Sequence, residues 1–210
     1  TKQFSSPINI AIPSGNFGNA YSAWFGRNNG LPINEIFCAS NTNDVLTRFI
    51  HNGCLEPKET TQTFAPSMDI QIPSSLERLI YDLQGDTTKF YTSLQDASRA
   101  DVDSGSLQKL QHIFSSSSYD NEMILDEIEK LYKKFHLIID PHTATALSDS
   151  VKFRSDLPVV GVATASPEKF ENVINKVIPD YQSKDSSNEE QFIVLETQVD
   201  LVENTINEYF

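Results

Sequence analysis

One stretch of the chain has residue types suited to anion chemistry: Pro13-Ser14-Gly15-Asn16-Phe17-Gly18-Asn19. An apolar run, Ile8-Asn9-Ile10-Ala11-Ile12, precedes it, and a helix-like run, Ala20-Tyr21-Ser22-Ala23-Trp24-Phe25, follows. Strand, glycine turn and helix start together gather backbone N–H groups that the helix itself cannot satisfy. Gly15 and Gly18 let the backbone turn tightly and approach a phosphate without an intervening Cβ. The amides and the helix dipole supply the positive field, so the loop needs no lysine. The side chains of Asn16 and Asn19 add donors or hold the shape of the turn. Taken alone, Gly-Asn-Phe-Gly is also compatible with a bare structural turn.

Other polar residues fall at the ends of expected elements. Asp140-Pro141-His142-Thr143-Ala144 follows the apolar run Leu137–Ile139, read as a strand, and α/β sheets place ligands at such ends. His142 and Thr143 are candidates to face a cleft; fixing the turn is the alternative. Thr164 follows the strand-like run Val159–Ala163, where its hydroxyl can cap the strand end. Thr42, Asn43 and Asp44 sit where they can cap a helix bearing Val45, Leu46, Phe49 and Ile50, which Gly53 would end. Asp69 has no second carboxylate at metal-binding spacing. His51, His112 and His136 lack partners at ligand spacing and read as surface residues. Cys38 and Cys54 form neither a metal motif nor a disulfide framework and read as buried, reduced thiols.

Ser14-Gly15-Asn16-Phe17-Gly18-Asn19, followed by Gly30-Leu31-Pro32-Ile33, resembles the phosphate-loop region of threonine synthase. Asn41-Thr42-Asn43-Asp44-Val45, Pro66-Ser67-Met68-Asp69-Ile70 and Glu77-Arg78-Leu79 recur in that family's order. Asp140-Pro141-His142-Thr143-Ala144 and Ala163-Thr164-Ala165-Ser166-Pro167-Glu168-Lys169-Phe170 complete the set. The likeness is to the longer, bacterial and fungal type, a fold-type-II enzyme that uses pyridoxal 5'-phosphate (PLP). Family members usually continue Ala-Val-Gly where this chain has Ala144-Thr145-Ala146, which leaves the helix start after that turn open.

The resemblance implies a three-layer, open, mostly parallel α/β sheet flanked by helices, like the large domain of fold-type-II PLP enzymes. Gly15, Asn16, Phe17, Gly18 and Asn19 would cradle the cofactor phosphate, and the Thr164 hydroxyl would meet the pyridine nitrogen. Ser67 and Asp69 would belong to the loop bordering the active site, with Ser67 either a substrate contact or a structural residue of that loop. The implied reaction turns O-phospho-L-homoserine and water into L-threonine and phosphate. A threonine synthase-like phospho-lyase releasing a keto acid, or a non-catalytic paralogue serving as an interaction domain, are the alternatives. The family carries PLP as a Schiff base on a lysine in a Phe-Lys-Asp type motif upstream of the phosphate loop. Lys2, Lys58 and Lys169 lack that context, and Thr1 opens the chain just before the loop's strand. The chain therefore reads as the C-terminal half of a longer enzyme. Its partner would be the missing N-terminal half. Alone, it is expected to be inactive and to self-associate through the face left bare.

The elements needed to hold these residues are visible in the periodicity. Ile8–Ile12, Glu35–Ala39, Leu137–Ile139, Val159–Ala163 and Phe192–Leu195 read as strands, alternating with helical patterns in the manner of α/β layering. Leu76, Leu79, Ile80 and Leu83 mark one helix face, introduced by capping-box spacing at Ser74-Ser75-Leu76-Glu77. Asp120 to Phe135 predicts a longer helix. Ser166-Pro167 opens another, with Phe170, Val173, Ile174 and Val177 on its apolar face. The polar, Ser-rich run Ser98–Ser118 reads as a loop or a weak helical excursion at the edge, and 86–135 as a variable helical excursion from a domain over 1–183. Residues 184–210 read as a linker, then a terminal strand and helix packed on the same domain. An apolar content of 39% with 10% aromatics is that of a soluble globular protein, and the reduced thiols point to the cytoplasm. The formal charge of -13 argues against nucleic acid as a partner. No apolar run reaches the roughly 20 residues of a membrane helix.

Overall fold

A computed structural model describes residues 6–148 and 151–182. The elements follow in order: β1 (Ile8–Pro13), α1 (Gly18–Asn28), β2 (Ile33–Asn41), α2 (Val45–Asn52), β3 (Cys54–Leu55), α3 (Leu76–Gln84) and α4 (Thr88–Ala97). Then come β4 (Ala100–Asp101), α5 (Ser104–Ile113), β5 (Phe114–Tyr119), α6 (Asn121–Phe135), α7 (Pro141–Leu147), β6 (Val159–Gly161) and α8 (Glu171–Ile174). Short 3-10 turns occupy Pro66–Met68 and Pro167–Phe170.

The main sheet has the order β5-β2-β1-β6 with every neighbouring pair parallel. From β1 the chain steps outward through β2 to β5, then returns to the far side of β1 to lay down β6. The two directions part between β1 and β6, and in open α/β sheets ligands bind in the crevice outside the carboxyl ends at such a point.

Each strand alternates between two cores, as its pleat requires. Ile12, Ile36 and Cys38 enter a cluster with Phe17, Phe49, Leu79, Ile80 and Phe114 on one face. Ala11, Phe37 and Ala39 enter a second cluster with Met68, Tyr119, Ile128, Ala144 and Ile174 on the other. Helices thus cover both faces, and each large apolar side chain so buried contributes about 1.5–3 kcal/mol. Local signals set several helix ends. Asp120 caps α6 by accepting from the Met123 N–H at 2.9 Å, and Gly53 ends α2 in the left-handed region at φ 76°.

Several expectations need correction. The Ser-rich run is not a loop: it carries the helix α5, in keeping with the helical alternative, but also the strands β4 and β5, and β5 pairs with β2 from Phe114 against Ile36 to Tyr119 against Asn41. Serine has little strand preference of its own, but here β2 supplies the ladder. The Ser116 hydroxyl lies 2.6 Å from the Cys38 carbonyl oxygen and 2.7 Å from the Thr47 hydroxyl. Within the mostly helical stretch 86–135, β5 is thus a strand of the main sheet. Leu137–Ile139 forms no strand and instead leads into α7. β6 ends at Gly161, and the helix expected after Ser166 is a 3-10 turn followed by the short α8. Ser75 stands at the N-cap of α3 without capping it through its side chain; its hydroxyl accepts from Arg78 at 3.2 Å. The linker at 184–190 and the strand Phe192–Leu195 lie outside the described residues. No helix among the described residues is long and apolar enough to cross a membrane.

Candidate functional site

A cleft of about 300 Å³ opens beyond the carboxyl ends of β1 and β6, at the crevice that the strand order defines. The turn from β1 into α1 (Pro13 to Asn19) forms one side, Ser67 and Met68 a second, and His142, Thr164 and Ala165 a third. Of the candidates read from the sequence, Gly15, Asn16, Phe17, Gly18, Asn19, Ser67, His142 and Thr164 meet here. Asp69 and Thr143 do not line it.

The β1–α1 turn is built to expose donors. Phe17 adopts the left-handed conformation at φ 70° as N-cap of α1, while its ring is buried against Phe114. A left-handed residue followed by the helical Gly18 is a backbone pattern that can gather neighbouring amides into an anion-binding nest. Among the described residues, no backbone N–H from Gly15 to Asn19 donates to a protein acceptor, and Ser14 also keeps a buried hydroxyl without a partner. Asn16 lines the cleft and also holds the shape of the turn. Its carbonyl accepts from the Ser75 N–H at 3.0 Å and its side-chain oxygen from Ser74 at 3.4 Å, which ties the turn to the start of α3.

The opposite sides depend on Asp140, which the motif offered only as part of a turn. Asp140 is the N-cap of α7, with Pro141 in the first turn. One carboxylate oxygen accepts from the His142 N–H at 2.9 Å and from the Thr143 N–H at 3.3 Å, and lies 3.0 Å from His142 Nδ1. The other accepts a short hydrogen bond from the Thr143 hydroxyl. His142 Nε2 accepts from the Ser67 N–H at 3.1 Å, and the Thr143 hydroxyl oxygen accepts from the Thr164 N–H at 3.4 Å. Since Ser67 N–H can only donate and the carboxylate only accept, the imidazole is neutral with its proton on Nδ1. The Asp-Pro pair at a helix start was the signal available for Asp140.

Asp69 serves the loop beneath. Its carboxylate accepts from Asn41 at 2.7 Å, Asn43 at 3.0 Å and both the N–H and hydroxyl of Thr63 at 3.0 and 2.7 Å.

Burial pushes the Asp140 carboxyl upward, but the hydrogen bonds from His142 and Thr143 outweigh it and hold it below its ordinary value. A depressed folded-state value means that the stabilisation is present above the ordinary carboxylate range, near pH 4, and is lost as pH falls through the folded value. Asp140→Asn is therefore expected to flatten the acid limb of the stability curve. Urea melts at neutral pH and below about pH 4 check this; an unchanged loss of stability in acid would contradict it.

Comparison with known proteins gives the fold its class. The chain superposes on the PLP-bound threonine synthase of Brucella melitensis with a TM-score of 0.85 at 26% identity, covering 99% of this chain and 47% of that one. On the yeast threonine synthase the TM-score is 0.76 at 26% identity, over 96% of this chain and 47% of that one. A parallel sheet flanked by helices with a cleft at its switch point is the architecture of fold-type-II PLP enzymes. In sequence the chain is 31% identical to threonine synthase of Pseudomonas aeruginosa over 80% of its length, and 33% identical to human threonine synthase-like 1 over 91%. The chain belongs to the threonine synthase family. No family model matches it. It spans 37% of the Pseudomonas protein and 27% of the human one.

Proposed function

We propose that this chain forms the wall of a threonine synthase-type active site that holds PLP by its phosphate and its ring nitrogen. The observation carrying the proposal is the set of unpaired N–H groups from Gly15 to Asn19, opening onto the same cleft as Thr164. The residues fit the group. The described lining holds donors, no carboxylate to repel a phosphate dianion, and an unpartnered Ser14 hydroxyl. The Gly15–Asn19 amides and the start of α1 would bind the phosphate. The Thr164 hydroxyl would donate to an unprotonated ring nitrogen, which a carboxylate would instead favour protonated. Ser67 would face the substrate side. Bound there, PLP supplies a ring that withdraws electrons from a substrate carbon.

The described lining contains no lysine, and we assign the required amine to a region of the relatives that this chain does not span. For the whole protein we propose conversion of O-phospho-L-homoserine and water to L-threonine and phosphate. A second reading is a threonine synthase-like phospho-lyase with the same cradle and a keto-acid product; the 33% identity to threonine synthase-like 1 shows that relatives not named threonine synthase share this part of the chain. Product analysis with the whole protein separates the two.

The cradle is testable on this chain. Inorganic phosphate is expected to bind with about millimolar affinity, roughly -4 kcal/mol, and to shift the amide resonances of Gly15 to Asn19. Thr164→Val should leave that affinity unchanged while weakening PLP, because only the ring loses a partner. Shifts confined to amides elsewhere in the chain would refute the assignment.

A further inference from the structure

The cleft has two flanks that are distant in sequence, and both lead back to one buried carboxylate. Asp140 is 1% exposed, and His142 and Thr143 beside it are 2% and 3% exposed. Through His142 it reaches the Ser67 N–H at 3.1 Å, across 75 residues of chain. That bond sets the Ser67–Met68 backbone, which packs so tightly on Gly15 that a Cβ there would lie 2.7 Å from the Ser67 carbonyl oxygen. Through the Thr143 hydroxyl, Asp140 reaches the Thr164 N–H at 3.4 Å. His142 is further fixed by the Phe170 ring, edge-on with centroids 4.9 Å apart.

We infer that Asp140 is a positioning residue which, by way of His142 and Thr143, fixes the distance between the Gly15 turn and Thr164. None of the three needs to touch a ligand. His142 orients as a neutral acceptor, and the Thr143 hydroxyl donates a hydrogen bond to Asp140 while accepting one from the Thr164 N–H. The inference rests on the cofactor reading for its consequence: the separation being fixed is that between the phosphate cradle and the hydroxyl assigned to the ring nitrogen. A carboxylate suits the hub because it offers several lone pairs and accepts from all its donors at once. An amide in its place must turn one donor toward another.

Three measurements on the full chain test this. First, nitrogen-15 spectra of the His142 ring are expected to show Nδ1 protonated and Nε2 bare; a proton on Nε2 overturns the inference. Second, residue-resolved hydrogen exchange should show that the two branches separate. His142→Leu should speed exchange at Ser67 alone, about 5–10-fold for one lost hydrogen bond, with His142→Gln restoring an acceptor and the protection. Thr143→Val should speed exchange at Thr164 alone, and Asp140→Asn at both. Equal acceleration at all amides in every variant, or no change at Ser67 and Thr164 in Asp140→Asn, overturns it. If Asp140→Asn does not fold, the ring tautomer and the two branch variants decide.

Third, Asp140→Asn should raise the Kd for PLP more than that for inorganic phosphate, since Thr164 lies on the ring side. An unchanged ratio overturns the inference while leaving the cradle intact. Failure of phosphate to shift Gly15 to Asn19 in the wild-type chain would instead remove the cofactor reading, and the tautomer and exchange results would still judge the relay.

Discussion

Gly15→Val is expected to abolish phosphate binding and to destabilise the chain by about 1–3 kcal/mol, the usual cost of forcing atoms into packed space. A Cβ at Gly15 would stand 2.7 Å from the Ser67 carbonyl oxygen and 2.9 Å from Met68 Cα. Both are backbone atoms, and Ser67 is held by His142 while Met68 is buried in the second core. Neither can yield without moving a wall of the cleft. The contact that requires glycine at this position is thus made by the protein itself. Gly18 differs: a Cβ there meets only the Ser75 hydroxyl oxygen, at an ordinary 3.6 Å. Gly18→Ala is expected to change stability by less than about 1 kcal/mol, since alanine is favoured over glycine once the helix begins. Urea melts together with a phosphate titration compare the two variants. Equal losses of stability would mean that the Ser67–Met68 backbone is free to move.

The second large effect lies two residues on. Phe17 is 1% exposed, packs on Phe114 with ring centroids 5.6 Å apart, and holds φ at 70°. Its burial is favourable and its backbone is not, since the left-handed region costs an ordinary residue about 1–2 kcal/mol. Phe17→Ala should cost about 3–5 kcal/mol through the cavity it leaves and should loosen the amide nest. Phe17→Gly loses the same contacts but is freed of the backbone strain. The glycine variant should therefore be at least as stable as the alanine variant, whereas glycine elsewhere in a helix or strand is about 0.5–1 kcal/mol worse. Chemical denaturation of both proteins checks the order. A glycine variant clearly below alanine would show that Phe17 carries no strain.

Much of this was legible from local pattern. The β1–α1 turn announces itself because strand, glycines and helix start are contiguous, and amide donors at a helix start need no distant partner. The helix α6 is equally plain, with Asp120 as cap and Ile124, Ile128 and Leu131 on its buried face. β5 was hidden because its serines owe their strand conformation to β2 and their buried hydroxyl bond to Cys38. Apolar content at Leu137–Ile139 suggested a strand, but no neighbouring strand pairs with it among the described residues.

Composition and motif order determined by themselves the family, the α/β class and the residues that could meet a phosphate. Those features depend on side-chain type and short-range periodicity, which the linear chain carries in full. Tertiary structure alone decided that Asp69 holds a loop while His142 joins the cleft. It also decided that Asp140 governs both flanks and that Gly15 is required by Ser67 rather than by a ligand alone. Each of these turns on contacts between segments tens of residues apart. A hydrogen bond or a clash is set by distances of a few tenths of an ångström, and only packing fixes those.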